Sequence, residues 1–138
     1  MYTELHLHTC YSFLEGASTT LELASTAAAL GYNALAITDH DGLHGAMEFA
    51  QSCAAAGVRP ITGVELTLRH GFVWRESGPV HLTLLAETAE GYANLCQLVT
   101  EAHRSSPRDA VALDPAFLAG RTAGVIVLSG CREGEVAR

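Results

Sequence analysis

Short apolar runs of strand length alternate with helix-length segments along the chain, and this alternation limits its fold more than any other feature. Such alternation is typical of βα units, in which parallel strands form a sheet and helices cover its outside. The sequence therefore predicts an α/β fold with mainly parallel strands. The predicted strands are residues 4–9, 33–38, 58–68, 80–86 and a buried strand at 125–128.

Local residue patterns predict where the helices begin and end. Thr19 and Glu22 have the spacing of a capping box, and the helix that they open is expected to stop at Gly31. A second helix is predicted from about 43 to 56, with Asp41 as its cap. Two more are predicted to begin at Thr88 and at Asp114-Pro115.

Composition fits one domain spanning residues 1–138 and excludes several kinds of chemistry. The chain is 49% hydrophobic, and all eight of its basic residues are arginine, so it has no lysine. Walker A loops, Schiff-base aldolases and pyridoxal phosphate enzymes all need lysine. A net charge of −7 also argues against a free-standing nucleic-acid binder, unless multivalent cations change the balance.

The cysteines and the N-terminus indicate an intracellular setting. The four cysteines form no CxxC pair, so neither a zinc ribbon nor a disulfide-linked partner is predicted, and Cys53 and Cys96 are interpreted as buried small side chains. The first residues lack the pattern of a signal peptide, and no apolar run reaches the roughly 20 residues of a membrane span. We therefore expect a cytoplasmic protein without a membrane segment.

Residues that can bind metal lie toward the ends of four of the five predicted strands. Each has a structural alternative: a His-x-His pair can simply occupy a polar strand face, and a lone buried acid can pair with arginine. Together they favour a metal site, because functional groups in α/β folds gather at the carboxyl ends of strands. Mixed N, O and S donors suit Zn²⁺, Mn²⁺ or Fe²⁺ better than Ca²⁺. The candidates are His6 with His8, Asp39 with His40, Glu65, and Cys131; His81 joins them only if its strand folds back as a hairpin.

These motifs, in this order, resemble those of the PHP (polymerase and histidinol phosphatase) domain. The phrasing is most similar to the N-terminus of bacterial DNA polymerase III alpha subunits, and within them to the error-prone branch. The resemblance covers the whole chain and is carried by residues 6–8, 11–18, 35–43, 63–65, 81–86, 90–95 and 128–131.

The resemblance implies a distorted (β/α)7 barrel with a trinuclear metal centre. Glu15 stands where the family usually has Asp, and the family's closing Asp-x-His pair would lie beyond residue 138, so the barrel and its site are expected to be incomplete and the chain alone inactive. The ligands carried over from the family are His6, His8, Glu15, His40, Glu65, His81 and Cys131.

The expected activity is metal-assisted phosphoester hydrolysis, as in a 3′-5′ exonuclease acting on DNA within a longer polymerase. Asp39 would orient a ligand or a water molecule, and Arg132 would contact phosphate unless it is only a solvated surface residue. His44, His70 and His103 are not expected to be ligands. Partners would be DNA, through the longer polymerase, and other replication or repair proteins.

Two other functions remain open at this point. One is a stand-alone phosphatase acting on a small phosphomonoester such as histidinol phosphate. The other is a non-catalytic, metal-stabilised scaffold that supports a polymerase body. Nucleotidyl transfer would belong to the remainder of the polymerase, because the chain contains no segment that resembles a polymerase palm.

Overall fold

The structure is a computed structural model that describes residues 2–70 and 77–130. The predicted α/β class is confirmed, although two of the strands follow each other without a helix between them. In chain order they are α1 (Thr20–Ala29), β1 (Ala34–Ile37), α2 (Ala46–Ala56), β2 (Arg59–His70), β3 (Ser77–Ala86), α3 (Ala89–Arg104), a 3₁₀ helix (Pro115–Leu118) and β4 (Val125–Leu128).

The four strands form one mixed sheet in the order β1-β2-β3-β4. β1 and β2 are parallel, whereas β2 pairs antiparallel with β3, and β3 antiparallel with β4. The prediction of mainly parallel strands is therefore wrong for the described sheet. Only residues 71–76 separate β2 from β3, and a parallel crossover needs about a dozen residues or more.

Residues 4–9, predicted as the first strand, run beside β1 without forming a strand. Two backbone hydrogen bonds reach them, from Ala36 N to Glu4 O and from Thr38 N to Leu7 O. Side chains take other positions of the ladder, since Glu4 Oε1 accepts from the amides of residues 5 and 6, and Thr38 Oγ1 accepts from Leu7 N. A regular strand is therefore not formed here.

The helix ends agree with prediction in α1 and differ in α2. Thr19 and Glu22 form the predicted capping box. α2, in contrast, begins at Ala46 after Gly45, which provides no side-chain cap. The predicted capping role of Asp41 is wrong, because its carboxylate accepts hydrogen bonds from Thr67 of β2 instead.

Two apolar clusters hold the helices against the sheet. α1 and α2 pack on β1 around Phe49 and Cys53, both fully buried, so the prediction for Cys53 is confirmed. α3 packs on β2 and β3 through Leu95 and Leu98, which are also fully buried. Cys96, predicted to be buried, is only partly so. Each fully buried leucine contributes roughly 2 kcal/mol of transfer free energy.

β4 is less buried than predicted. Ile126 and Val127 are 44% and 49% exposed, because β4 is the last strand of the described sheet and only β3 pairs with it. A cavity of about 600 Å³ lies where β2 begins and β3 ends, between residues such as Pro60 and Leu85. None of the candidate metal ligands that the structure describes lines it. No helix within the described ranges has the length and apolar character needed to cross a membrane.

Candidate metal centre

Glu65 is a carboxylate buried in the middle of the sheet. It lies in β2, opposite Thr83 of β3, and forms an isolated parallel bridge with His40, just beyond the end of β1. The residue is only 1% exposed. An unpaired charge would be strongly unfavourable at such a position, so the Glu65 carboxylate needs partners from neighbouring elements.

Four imidazoles surround the Glu65 carboxylate. Its Oε2 atom lies 2.8 Å from His8 Nε2, 3.1 Å from His6 Nε2 and 3.3 Å from His40 Nε2. Its Oε1 atom lies 3.8 Å from His81 Nδ1. Residues far apart in sequence thus converge on one buried carboxylate, as the interpretation of the motifs as one site requires.

The antiparallel direction of β3 explains how His81 reaches this cluster. The sequence predicts His81 near the start of its strand, but the strand begins earlier, at Ser77, and His81 pairs with Thr67 of β2. Because residues two apart on a strand share a face, His81 lies on the same side of the sheet as Thr83, which pairs with Glu65. The hairpin thereby brings His81 to the carboxylate.

Glu15 adds a second carboxylate from the loop that precedes α1. Its Oε2 atom lies 2.6 Å from His40 Nε2 and 3.7 Å from His8 Nδ1, and its side chain is 52% exposed. The loop turns tightly here: Leu14 has a positive φ of 70°, and a Cβ added to Gly16 would lie 2.0 Å from the Thr9 carbonyl oxygen. The close packing of Gly16 against the Thr9 backbone thus determines the position of the neighbouring Glu15.

Asp39 holds the same loop through hydrogen bonds. It is 2% exposed and accepts hydrogen bonds from Thr9 N at 2.7 Å, Thr9 Oγ1 at 2.8 Å and Ser12 Oγ at 2.6 Å. Ser12 Oγ in turn accepts from His40 N at 3.1 Å. Asp39 therefore joins the loop that carries Glu15 to the end of β1, rather than contacting an imidazole directly through these bonds.

Asp41 links the same region to β2. Its carboxylate accepts from Thr67 N and Thr67 Oγ1, both at 2.7 Å, while its backbone N–H donates to Glu65 O. Asp41 has a φ of 48°, a conformation that Asp adopts more readily than most residues. These bonds fix His40 relative to Glu65, because they hold the residue after His40 against the strand that contains Glu65.

The electrostatics of the cluster favour a charged Glu65. Burial alone would raise the pKa of this carboxyl group, but hydrogen bonding from the His8 imidazole, the close approach of His6 and the charges of His6 and His40 lower it to about 2. The Glu65 carboxylate also raises the pKa of His8 by hydrogen bonding, against the opposing effect of burial. In the metal-free cluster, the Glu65 carboxylate and the His8 imidazole thus stabilise each other's charged form.

The donor atoms fit a divalent metal. Among the described residues, three groups have ligand atoms within 4.8 Å of one another, and adjacent groups share a residue. His6 Nε2 is buried and lies near Glu65 without an acceptable hydrogen-bond geometry, as expected for a nitrogen whose partner is a cation. Imidazole and carboxylate donors suit Zn²⁺, Mn²⁺ or Fe²⁺. The groups are His6, His8 and Glu65; His8, Glu15 and His40; and His40, Glu65 and His81.

The structure thus brings together six of the seven candidate ligands. The seventh, Cys131, lies outside the described residues, as does Arg132. Sequence reasoning missed the hydroxyl partners of the carboxylates, Thr9, Ser12 and Thr83, of which Thr83 Oγ1 donates to Glu65 Oε1 at 3.5 Å. Ser12 and Thr83 lie within the recognised motifs, but a hydroxyl residue on its own carries no spacing pattern that would assign it a role.

His103 lies in the last turn of α3. There its positive form would stabilise the negative end of the helix dipole. Its Nε2 atom also forms a 2.7 Å hydrogen bond with the backbone carbonyl of Asp41, a contact that the sequence does not predict. α3 is thereby attached to the loop that carries His40.

Comparison with known proteins gives the same family as the motifs. The PHP domain family matches residues 4–138. The error-prone DNA polymerase of Symbiobacterium thermophilum is 42% identical over 98% of this chain, which spans only 13% of that polymerase.

Two solved structures share the fold. An amidohydrolase from Chromobacterium violaceum is 31% identical with a TM-score of 0.58, over 75% of this chain and 34% of its own. A protein assigned as a metal-dependent phosphoesterase from Bifidobacterium adolescentis is 23% identical with a TM-score of 0.56, over 74% of this chain and 33% of its own. An incomplete barrel of the PHP type fits the four-stranded sheet and its helices. The match over residues 4–138 shows that the chain belongs to the PHP domain family.

Proposed function

We propose that this chain carries a divalent-metal phosphoesterase centre that hydrolyses DNA at 3′ ends, as the PHP part of an error-prone DNA polymerase. The convergence of four imidazoles on the buried Glu65 carboxylate, with the Glu15 carboxylate beside His40, supports this function most directly. The 42% identity to an error-prone DNA polymerase, over 98% of the chain, supports a DNA substrate. Nucleotidyl transfer would belong to other parts of such a polymerase.

The three donor groups support a centre with three metal ions. His8, His40 and Glu65 each belong to two groups, so these residues would hold neighbouring ions close together. Cys131 would add a further ligand, and Arg132 would contact phosphate. Divalent metal supplies Lewis acidity toward phosphoryl oxygens and increases the acidity of water.

The chain's own residues would orient the reacting groups. Glu65 is fixed by the sheet, and its low pKa keeps it a carboxylate over the physiological range. Glu15 lies on the exposed side of the centre, within 2.6 Å of His40, and would face the phosphodiester as it enters. Asp39, through Thr9 and Ser12, would act as a positioning residue for the loop that carries Glu15.

The test measures bound metal and hydrolysis in the 138-residue chain and in the complete product of its gene. Metal is measured by mass spectrometry after dialysis against Zn²⁺ or Mn²⁺, and hydrolysis on a primer with a 3′ mismatch. In the complete product we expect bound metal and 3′ nucleotide release. Both should be lost in Glu65→Gln and retained in the control Glu101→Gln, since Glu101 pairs with Arg104 on α3.

The outcomes separate the alternatives. A complete gene product that binds no metal would refute the proposed function. Metal binding without hydrolysis of any phosphoester would favour the non-catalytic scaffold. Hydrolysis of histidinol phosphate in preference to DNA would favour the small-molecule phosphatase. An active complete product beside an inert 138-residue chain would show that the centre needs further residues.

A further inference from the structure

A cleft of about 410 Å³ adjoins the metal centre on the side of His40. Its volume falls within the range of small-ligand sites, about 300–1,000 Å³. The cleft lies between the loop that follows His8, the loop that follows β1, and the end of α3. The residues that matter to its chemistry are Tyr11, Phe13, His40, His44, His103 and Arg108.

Part of the cleft wall is fixed by hydrogen bonds. The Tyr11 hydroxyl donates to Glu48 Oε2 at 2.7 Å, and the Tyr11 ring lies so close to Gly45 that a Cβ there would be 2.7 Å from its Cδ2 atom. His103 is held by the Asp41 carbonyl at 2.7 Å. These contacts keep the cleft open beside His40.

Other groups in the cleft have no fixed partner. With the described residues, Arg108 and His44 form no hydrogen bond or ion pair, although the His44 ring lies over Gly42. Phe13 is 84% exposed at the rim, two residues before Glu15. An unpaired guanidinium and an exposed aromatic ring next to a metal centre are suited to a ligand with both a phosphate and a flat ring.

We propose that this cleft binds the terminal nucleotide of a DNA strand beside the metal centre, with Arg108 contacting a phosphate and Phe13 stacking on the base. The chain carries a net charge of −7, so an attractive site for a polyanion must be local. Arg108, with the imidazoles of His44 and His103 beside it, supplies such a site. This inference rests on the proposed function, since it names the groups that would hold its substrate.

The test is binding of a 5′-fluorescein hexathymidylate to the Mn²⁺-loaded 138-residue chain, followed by fluorescence anisotropy. Phosphorothioate linkages slow hydrolysis of this probe. We expect Arg108→Ala to weaken binding about tenfold and Phe13→Ala about fivefold or more. The matched controls are Arg104→Ala, since Arg104 pairs with Glu101 on α3, and Leu21→Ala, since Leu21 is 61% exposed on α1. Both controls should stay within about twofold of the unmodified chain, at unchanged metal content.

The inference is overturned if the unmodified chain does not bind the probe, or if Arg108→Ala and Phe13→Ala bind it as the controls do. Binding that depends on Arg108 and Phe13 without hydrolysis would leave the inference standing and count against the proposed function. Hydrolysis of DNA together with binding that does not depend on Arg108 and Phe13 would support the proposed function and overturn the inference.

Discussion

His8 Nε2 and Glu65 Oε2 lie 2.8 Å apart at a position where the Glu65 side chain is 1% exposed. The charge state of this pair therefore links the stability of the metal-free chain to pH. Each partner changes the pKa of the other in the direction that keeps the pair charged.

We expect the metal-free chain to be most stable between about pH 4.5 and 6.5. The pKa of Glu65 is lowered from 4.5 to about 2, so its stabilisation is present above 4.5 and lost as pH falls through about 2. The pKa of His8 is raised from 6.5, so its stabilisation is full below 6.5 and lost as pH rises through the raised value. The acid loss from Glu65 is at most about 3 kcal/mol.

Urea denaturation of the metal-free chain between about pH 2 and 9 measures this dependence, because the range extends on both sides of the window of greatest stability. Glu65→Gln removes the titrating carboxyl group and should flatten the acid side of the profile. An unchanged acid side in Glu65→Gln would show that other groups cause the loss of stability.

His6 is expected to matter more for metal binding than for the stability of the metal-free chain. Its Nε2 atom is buried without a hydrogen bond, and leaving such an atom unpaired costs about 1–3 kcal/mol. His6→Leu removes this cost together with the attraction between His6 and Glu65, which lie 3.1 Å apart. The melting temperature of the metal-free chain should therefore change little, whereas the rise in melting temperature that metal causes should be smaller.

Metal at 100 times its dissociation constant should add about 2.7 kcal/mol to the free energy of unfolding, and the melting temperature rises accordingly. Thermal denaturation with Mn²⁺ and with EDTA measures it. A His6→Leu chain that gains as much stability from metal as the unmodified chain would exclude His6 as a ligand.

Asp39 is expected to support the centre through the loop that it anchors. Its two oxygens accept three hydrogen bonds, from Thr9 and Ser12, and an amide cannot accept at both positions. Asp39→Asn should reduce the free energy of unfolding by about 2–4 kcal/mol and weaken metal binding. Asp114→Asn is the matched control, because Asp114 caps an exposed 3₁₀ helix and Asn caps nearly as well. Equal losses in both variants would contradict the anchoring role.

Local sequence patterns predicted much of this architecture. Thr19 and Glu22 specify the start of α1 because a capping box depends only on residues three apart. The convergence of His8, His40 and Glu65 could be expected because they follow successive predicted strands and because the motifs resemble one family. Residue types and spacing were sufficient for these features.

Features that depend on distant partners were not predicted. The direction of β3 depends on the short connection after His70, which the apolar pattern does not reveal. Asp41 precedes a helix and has the sequence of a cap, yet Thr67 offers its carboxylate two donors from β2. Residues 4–9 alternate like a strand, but the side chains of Glu4 and Thr38 occupy part of the ladder. Such competition is decided only when the chain is folded.

Gly16 should be essential for the position of Glu15. A Cβ at Gly16 would lie 2.0 Å from the Thr9 carbonyl oxygen, so Gly16→Ala must displace the loop and should weaken metal binding about tenfold or more. Gly31→Ala is the matched control: Gly31 has a φ of 76° with no atom within 4 Å of an added Cβ. The control should cost about 1 kcal/mol of stability and leave the metal affinity unchanged, as measured by titration with Mn²⁺. Equal metal affinity in both variants would refute the positional role of Gly16.

The charge and the length of the Glu15 side chain can be changed separately, so that the contribution of each to metal binding can be measured. Its Oε2 atom lies 2.6 Å from His40 Nε2, and its side chain is 52% exposed, so the surrounding loop restricts it less than the sheet restricts Glu65. Glu15→Asp keeps the charge and should bind the same number of metal ions with lower affinity. Glu15→Gln keeps the length, removes the charge, and should lose one metal equivalent, since Glu15 belongs to only one of the three donor groups. Metal content after dialysis distinguishes the two variants. If Glu15→Gln retained every equivalent that the unmodified chain binds, Glu15 would not be a ligand, and the group of His8, Glu15 and His40 would not hold an ion.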